Sequence, residues 1–246
     1  MSAGGGLWYR FIRTLARLIF RALGGLDVEG EKNVPLSGPL IVSPTHLSHL
    51  DPPIVACAMP KRAIGFMAKE ELFFGLFGKL ITSLGAFPVK RGANDSSAIR
   101  TAIQRLKDGK AVLIFPEGTR GDGVTLGPIS AGISMLAKSV DPLILPVAII
   151  GTHQVLPKGA KKIRRNRMKV VIGVPFRYSE IAGAASDREN RQLFADYLAQ
   201  KMVEASAQGG LPLKTSQTTS PRAESPTSGT STSGTALEPV EHPVQP

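Results

Sequence analysis

The sequence predicts an α/β fold: a mixed, largely parallel sheet flanked by helices, with an N-terminal interfacial amphipathic helix and a disordered C-terminal tail. Three observations carry this expectation. From residue 26 to about 207, apolar runs of strand length alternate with segments of helical period. Ahead of them, residues 7–23 combine a regular arginine spacing with an otherwise apolar composition. Behind them, residues 215–235 are mostly Ser, Thr, Pro and Gly and hold almost nothing to bury. A chain of 246 residues can bury one substantial core. The expected organisation is therefore a membrane-associated helix over 1–25, one domain over 26–207 and a tail over 208–246.

The first helix places Arg10, Arg13, Arg17 and Arg21 at spacings of three and four, which is one stripe of a helix. Nearly everything else on it is apolar, with Trp8 and Tyr9 at one end, the pattern of a helix lying in a membrane interface. Arginines interrupt every apolar run, so no window of about 18 apolar residues could span a bilayer. No signal-peptide cleavage pattern is seen, and the expected location is peripheral, on the cytoplasmic face of a membrane.

Strands are expected near 39–43, 63–68, 84–89, 111–115, 143–150 and 168–174, with helices near 52–59, 70–78, 96–108, 129–139 and 187–205. The first strand, Pro-Leu-Ile-Val-Ser, runs into Pro44-Thr45-His46, and Asp51 followed by Pro52 reads as an N-cap with proline in the first helical position. Between Asp95 and Gly109, residues Ala98, Ile99, Ala102, Ile103 and Leu106 form one apolar helical face, with Asp95 as cap and Gly109 as stop.

Charge narrows the class of partner. The formal net charge is +11, and residues 209–246 hold two basic against three acidic residues, leaving +12 on the rest. An anionic partner follows: nucleic acid, an anionic membrane surface, or a phosphorylated or acidic-protein substrate. Three tyrosines and one tryptophan are few for base stacking, and no zinc-finger or RNP-type motif is present, which argues against nucleic acid. Lys158, Lys161, Lys162, Arg164, Arg165, Arg167 and Lys169 fall within twelve residues without an acid, suited to anionic lipid or to an acidic acyl carrier protein. Cys57 is the single cysteine, so neither a disulfide framework nor a thiolate metal site is expected. His46 and His49 stand in an H-x-x-H spacing without a third ligand at a familiar interval, and the expected mechanism is metal-free.

Two polar clusters follow apolar strands. His46 and Asp51 are a candidate general base and its orienting acid. Five residues place two side chains about 140° apart on a helix, so the pair meets only if the chain folds back between them. After Ala111-Val112-Leu113-Ile114-Phe115 comes Pro116-Glu117-Gly118-Thr119-Arg120, an acid, a glycine, a hydroxyl and an arginine. In a largely parallel sheet both clusters open at the carboxyl ends of the strands, where α/β ligands bind. Lys90 and Arg91 follow a further strand, and arginine's fork suits a phosphate. His153 lies in a Gly-Thr turn and His242 in the tail; neither is assigned a role.

H-x-x-x-x-D from His46, G-x-F-P-V-x-R from Gly85, F-P-E-G-T-R from Phe115, and the strand holding Leu145-Pro146-Val147 occur in that order. With Val28–Pro35 as lead-in, the chain resembles the glycerolipid acyltransferase family, most closely the lysophosphatidic acid acyltransferases, over about residues 7–205. The resemblance implies transfer of an acyl group from acyl-CoA or acyl carrier protein, as co-substrate and without a cofactor, to the sn-2 hydroxyl of lysophosphatidic acid, giving phosphatidic acid for phospholipid biosynthesis. It implies catalytic roles for His46 and Asp51, and binding of the glycerol phosphate by Arg91, Glu117, Gly118, Thr119 and Arg120. Ser48, Lys90 and Pro146 are implied as supports, the last for an acyl-chain wall. Rival readings are another acceptor, such as glycerol 3-phosphate or another lysophospholipid, and a catalytically silent lipid-binding protein of the same fold. The chain departs from the family pattern at Thr45, where asparagine is common, at Gly121-Asp122-Gly123 after the arginine, where serine is common, and at Ile129-Ser130-Ala131-Gly132, which lacks a lysine.

Overall fold

The computed structural model describes residues 6–89 and 96–215. Lys90, Arg91, the expected cap Asp95 and the expected tail from residue 216 onward lie outside them. Contacts divide the chain into Met1–Ser216 and Gln217–Pro246, and the second unit is also outside the described residues.

Seven strands make the principal sheet: β1 (Leu26–Glu29), β2 (Leu40–Pro44), β3 (Ile64–Lys69), β4 (Phe87–Val89), β5 (Ala111–Leu113), β7 (Leu143–Ile150) and β8 (Met168–Ile172). Their order is β1-β8-β7-β2-β5-β3-β4. From β7 to β4 all neighbours are parallel. β8 runs antiparallel to β7, and β1 runs parallel to β8. Five carboxyl ends therefore open at one end of the sheet, the mixed and largely parallel arrangement the sequence predicts.

Alternation along the strands builds a core on each face. Leu40 and Val42 of β2, Ala111 and Leu113 of β5, and Leu145, Val147 and Ile149 of β7 pack together with α1 (Leu7–Ala22) and α2 (Asp51–Ala58). Ile41, Val112 and Ile144 face the other side. There they meet α4 (Ser96–Lys107), α5 (Ala131–Val140) and α7 (Asp187–Gln208). A capping box starts α7, in which Ser186 Oγ and the Glu189 side chain satisfy each other's backbone N–H.

The expected helix over 70–78 is displaced. Glu70–Leu72 form a 3-10 turn, Phe74 is extended, and α3 covers Gly75–Ser83. Gly75, at φ +62, takes a left-handed conformation that starts the helix late. Four strands and α-helices fall outside the sequence expectation. They are β1, the short helix α6 (Thr152–Val155), and a two-stranded pair of β6 (Thr125–Leu126) with β9 (Lys214–Thr215). That pair extends the order beyond residue 207, where the tail was expected to begin: Leu213 is buried and Lys214 N donates to Val124 O.

The amphipathic helix α1 packs on the domain through Tyr9, Arg13, Ala16 and Phe20. Cys57 Sγ contacts Arg13 O, and the Tyr9 hydroxyl accepts from Ile64 N. Leu7, Trp8, Phe11, Leu15, Leu18 and Ile19 are left exposed on its wide apolar side. Trp8 Nε1 donates to Ser83 Oγ and ties α1 to α3, which exposes Phe74, Leu76 and Phe77. No described helix is long and apolar enough to cross a membrane.

Candidate active site

The residue pair singled out by spacing is in contact: His46 Nδ1 lies 2.8 Å from Asp51 Oδ2. The chain between them folds back because the same carboxylate oxygen accepts from Leu47 N at 2.6 Å and Ser48 N at 2.7 Å. An oxygen holding two backbone N–H groups is an acceptor, so His46 Nδ1 is the donor and Nε2 the ring nitrogen left for chemistry. Asp51 is itself the first residue of α2, with Leu50 at the N-cap, so it does not cap the helix as expected. Its side chain reaches backward into the preceding turn, where a negative charge at a helix N-terminus is favoured. Asp51 is fully buried and the His46 side chain is 15% exposed.

Phe115 forms the floor under the base. Its ring is stacked on the imidazole, centroids 3.7 Å apart and planes inclined by 18°. The aromatic residue that opens the F-P-E-G-T-R motif thus packs directly on the histidine of the other motif.

Glu117 joins the two loops. Oε1 accepts from His46 N at 3.1 Å and Oε2 from Gly127 N at 3.0 Å. Gly121 N donates to His46 O at 2.8 Å, so the loop after β5 holds the His46 turn from both sides. Glu117, expected on acceptor or arginine, makes this backbone clamp and also lines the pocket beside the base. Burial pushes the Glu117 carboxyl above its usual range, partly offset by its two backbone hydrogen bonds. Cβ atoms built on Gly121 or Gly127 would stand 3.2 Å from Glu117 Oε2, so both glycines make room for the carboxylate.

Ser48 and Thr45 serve the scaffold. Ser48 Oγ donates to Leu156 O and accepts from Leu50 N. Thr45 Oγ1 accepts from Ile149 N of β7, so its hydroxyl pairs with the sheet. Pro146 sits mid-sheet opposite Ser43 and packs on Gly173. It is not among the residues lining the pocket beside the base.

That pocket, about 550 Å³, is bounded by Leu47, Glu117, Thr119, Arg120, His153 and Lys158, among others. Gly118, at φ +68, turns the loop so that Thr119 and Arg120 reach this side. The structure thus assembles His46, Asp51, Glu117, Thr119 and Arg120 at one end of the sheet. His153 and Lys158 join them from the segment after β7, a proximity no local motif announces. Lys69, the last residue of β3, ends at the same edge. Burial lowers the pKa of His49, and the nearby charges of Arg120 and Lys69 add to the effect.

Comparison with known proteins gives a consistent result. A family model described as acyltransferase matches residues 25–150. A 1-acyl-sn-glycerol-3-phosphate acyltransferase of Bacillus subtilis is 29% identical over 197 residues, covering 80% of this chain and 96% of its own. One from Streptococcus pneumoniae is 30% identical over 183 residues, covering 72% of this chain and 66% of its own. Among solved structures, the 1-acyl-sn-glycerophosphate acyltransferase PlsC of Thermotoga maritima superposes with a TM-score of 0.67 at 28% identity. The match covers 81% of this chain and 80% of that one.

Proposed function

This chain belongs to the acyltransferase family, and from that premise we propose that it acylates the sn-2 hydroxyl of 1-acyl-sn-glycerol 3-phosphate from an acyl thioester, making phosphatidic acid for phospholipid biosynthesis. The observation that carries the reading is the His46–Asp51 pair, 2.8 Å apart, beside a pocket that holds Arg120. Relatives named for this acceptor, matching most of the chain, support it.

In the proposed mechanism His46 Nε2 takes the proton of the acceptor hydroxyl as its oxygen attacks the thioester carbonyl. Asp51 keeps the proton on Nδ1 and stabilises the imidazolium without becoming protonated. Collapse of the tetrahedral intermediate breaks the C–S bond, and the imidazolium returns its proton to the leaving thiolate. No covalent acyl-enzyme is required, and buried Cys57, its thiol pushed up to about 11 mainly by desolvation, is unsuited to that role. Arg120 binds the acceptor phosphate from the pocket, and Arg91, outside the described residues, is proposed to assist with Lys90. Thr119 and Gly118 shape the loop that presents the arginine.

The reaction takes place on a membrane surface. The exposed face of α1 with Phe74, Leu76 and Phe77 of the α3 region gives an apolar surface for one leaflet. The exposed Arg10, Arg17 and Arg21 of α1 and the exposed Lys158, Lys161, Lys162, Arg164 and Arg165 favour anionic lipid on the cytoplasmic side. The domain proper is assigned to residues 26–215.

The test is acyl transfer by the purified protein on vesicles, offering lysophosphatidic acid or glycerol 3-phosphate with acyl-CoA or acyl carrier protein thioester in turn. Phosphatidic acid formed from lysophosphatidic acid is expected, and the productive donor identifies the thioester class. Acylation of glycerol 3-phosphate alone would overturn the acceptor assignment.

A further inference from the structure

We propose that His153 and Lys158 complete an anion site with Arg120, and that this site takes the phosphate monoester of the acyl acceptor. The inference rests on the acceptor reading above and adds two residues that neither motif contains.

The acidic and basic side chains that border the pocket differ in their pairing. Two carboxylates line the pocket, Glu117 and Asp122. Both oxygens of Glu117 are occupied by backbone N–H groups of His46 and Gly127. Asp122 Oδ1 accepts from Val124 N and Thr125 N, both at 2.8 Å, in a turn that closes on itself. The acids are therefore engaged with backbone.

The bases are not. Arg120 Nη1 and His153 Nδ1 are both buried and have no hydrogen-bond partner among the described residues. Buried side-chain nitrogens left unpaired are rare in folded proteins, because each forfeits its hydration without return. The side chains that carry these nitrogens both border one pocket, together with Lys158. Among the described residues no carboxylate pairs with Arg120 or Lys158. A phosphate offers three acceptor oxygens, enough for a guanidinium N–H, an imidazole N–H and an ammonium together.

The placement of His153 is specific. Gly151, at φ +86, turns the chain out of β7 and starts α6, which presents His153 toward the loop after β5. Gly123 lies beside the imidazole, where a Cβ would be in ordinary van der Waals contact with Nε2 at 3.8 Å. Lys158 follows α6 after Pro157, which also lines the pocket. The segment after β7 thus supplies an imidazole and an ammonium where the chain lacks the serine and the lysine common after the arginine motif.

The chemistry recognised is a phosphate monoester, and it has two possible sources, the acceptor and the phosphates of a coenzyme A donor. Steady-state kinetics on vesicles separates them. In His153→Ala and Lys158→Met the apparent KM for lysophosphatidic acid is expected to rise about tenfold, with kcat within about twofold and the donor KM unchanged. His153→Gln, which keeps a donor group, should recover most of the loss. A second arm needs no turnover: inorganic phosphate at fixed ionic strength should raise the Tm of the wild type and raise it less in both variants. Lys158 is exposed, so its variant keeps the test open if His153→Ala does not fold.

An unchanged acceptor KM together with an unchanged phosphate response would overturn the proposal. A rise in the KM of the donor alone would also overturn it, assigning the site to the donor's phosphates. If the wild type acylates no lysophosphatidic acid but its phosphate response depends on His153, the anion site stands and the acceptor reading falls.

Discussion

The imidazole of His46 is stacked face to face on the ring of Phe115, with 3.7 Å between centroids. With Nδ1 tied to Asp51 and one face covered by Phe115, the ring has a fixed plane and one free nitrogen. The two residues lie 69 positions apart in the chain and meet because β2 and β5 are adjacent and parallel.

Removing that floor should loosen the base without removing it. An aromatic pair contributes about 0.5–1.5 kcal/mol beyond its buried area, so Phe115→Ala is expected to lower kcat about tenfold while changing the acceptor KM little. Phe115→Leu, which keeps bulk without the ring face, should fall between. Equal kcat in all three proteins would show that Asp51 alone positions the imidazole.

Glu117 predicts a pH dependence of stability. Burial raises its carboxyl above the ordinary value of 4.5, so the folded chain keeps a proton that the unfolded chain releases. Between 4.5 and the raised folded value the native state holds more protons, and this group's contribution to stability falls as pH rises. Glu117→Gln removes the titration. The Tm advantage of wild type over the variant should be largest below about pH 4.5 and shrink as the pH rises above it. An advantage that grows with pH would mean the two backbone N–H groups outweigh burial.

The exposed apolar side of α1 makes a prediction about partitioning. Burying one large apolar side chain is worth about 1.5–3 kcal/mol, or roughly tenfold or more in affinity. Replacing Phe11, Leu15 and Leu18 with serine should therefore weaken vesicle binding by at least about 100-fold. All three are exposed, so Tm should stay nearly constant. Sedimentation with anionic vesicles measures the first quantity. Unchanged binding would remove α1 from the membrane contact.

Much of this architecture is legible in the sequence because the informative signals are local. β2, β5, β7 and β8 are apolar runs whose lengths mark them as strands, and the His46–Asp51 spacing has a use only if the chain folds back. What escapes the sequence depends on context. β1 is four residues of alternating character whose pairing with β8 is non-local. The start of α3 is set by Gly75, and the absence of a side chain at Gly78 is required by the Phe73 backbone against it. The backbone clamp that Glu117 makes with His46 N and Gly127 N has no signal in the sequence, because Gly127 lies ten residues on and His46 in another loop. His153 is invisible in sequence because its neighbour, Arg120, is brought to it by the fold.

The central claim is that His46, held by Asp51, is the base for acyl transfer. Its most direct test is kcat for acylation of lysophosphatidic acid on vesicles by wild type and His46→Ala, with circular dichroism as the control for folding. A fall of at least about 100-fold with the fold intact is predicted. A variant that keeps kcat within about twofold of wild type would contradict the claim.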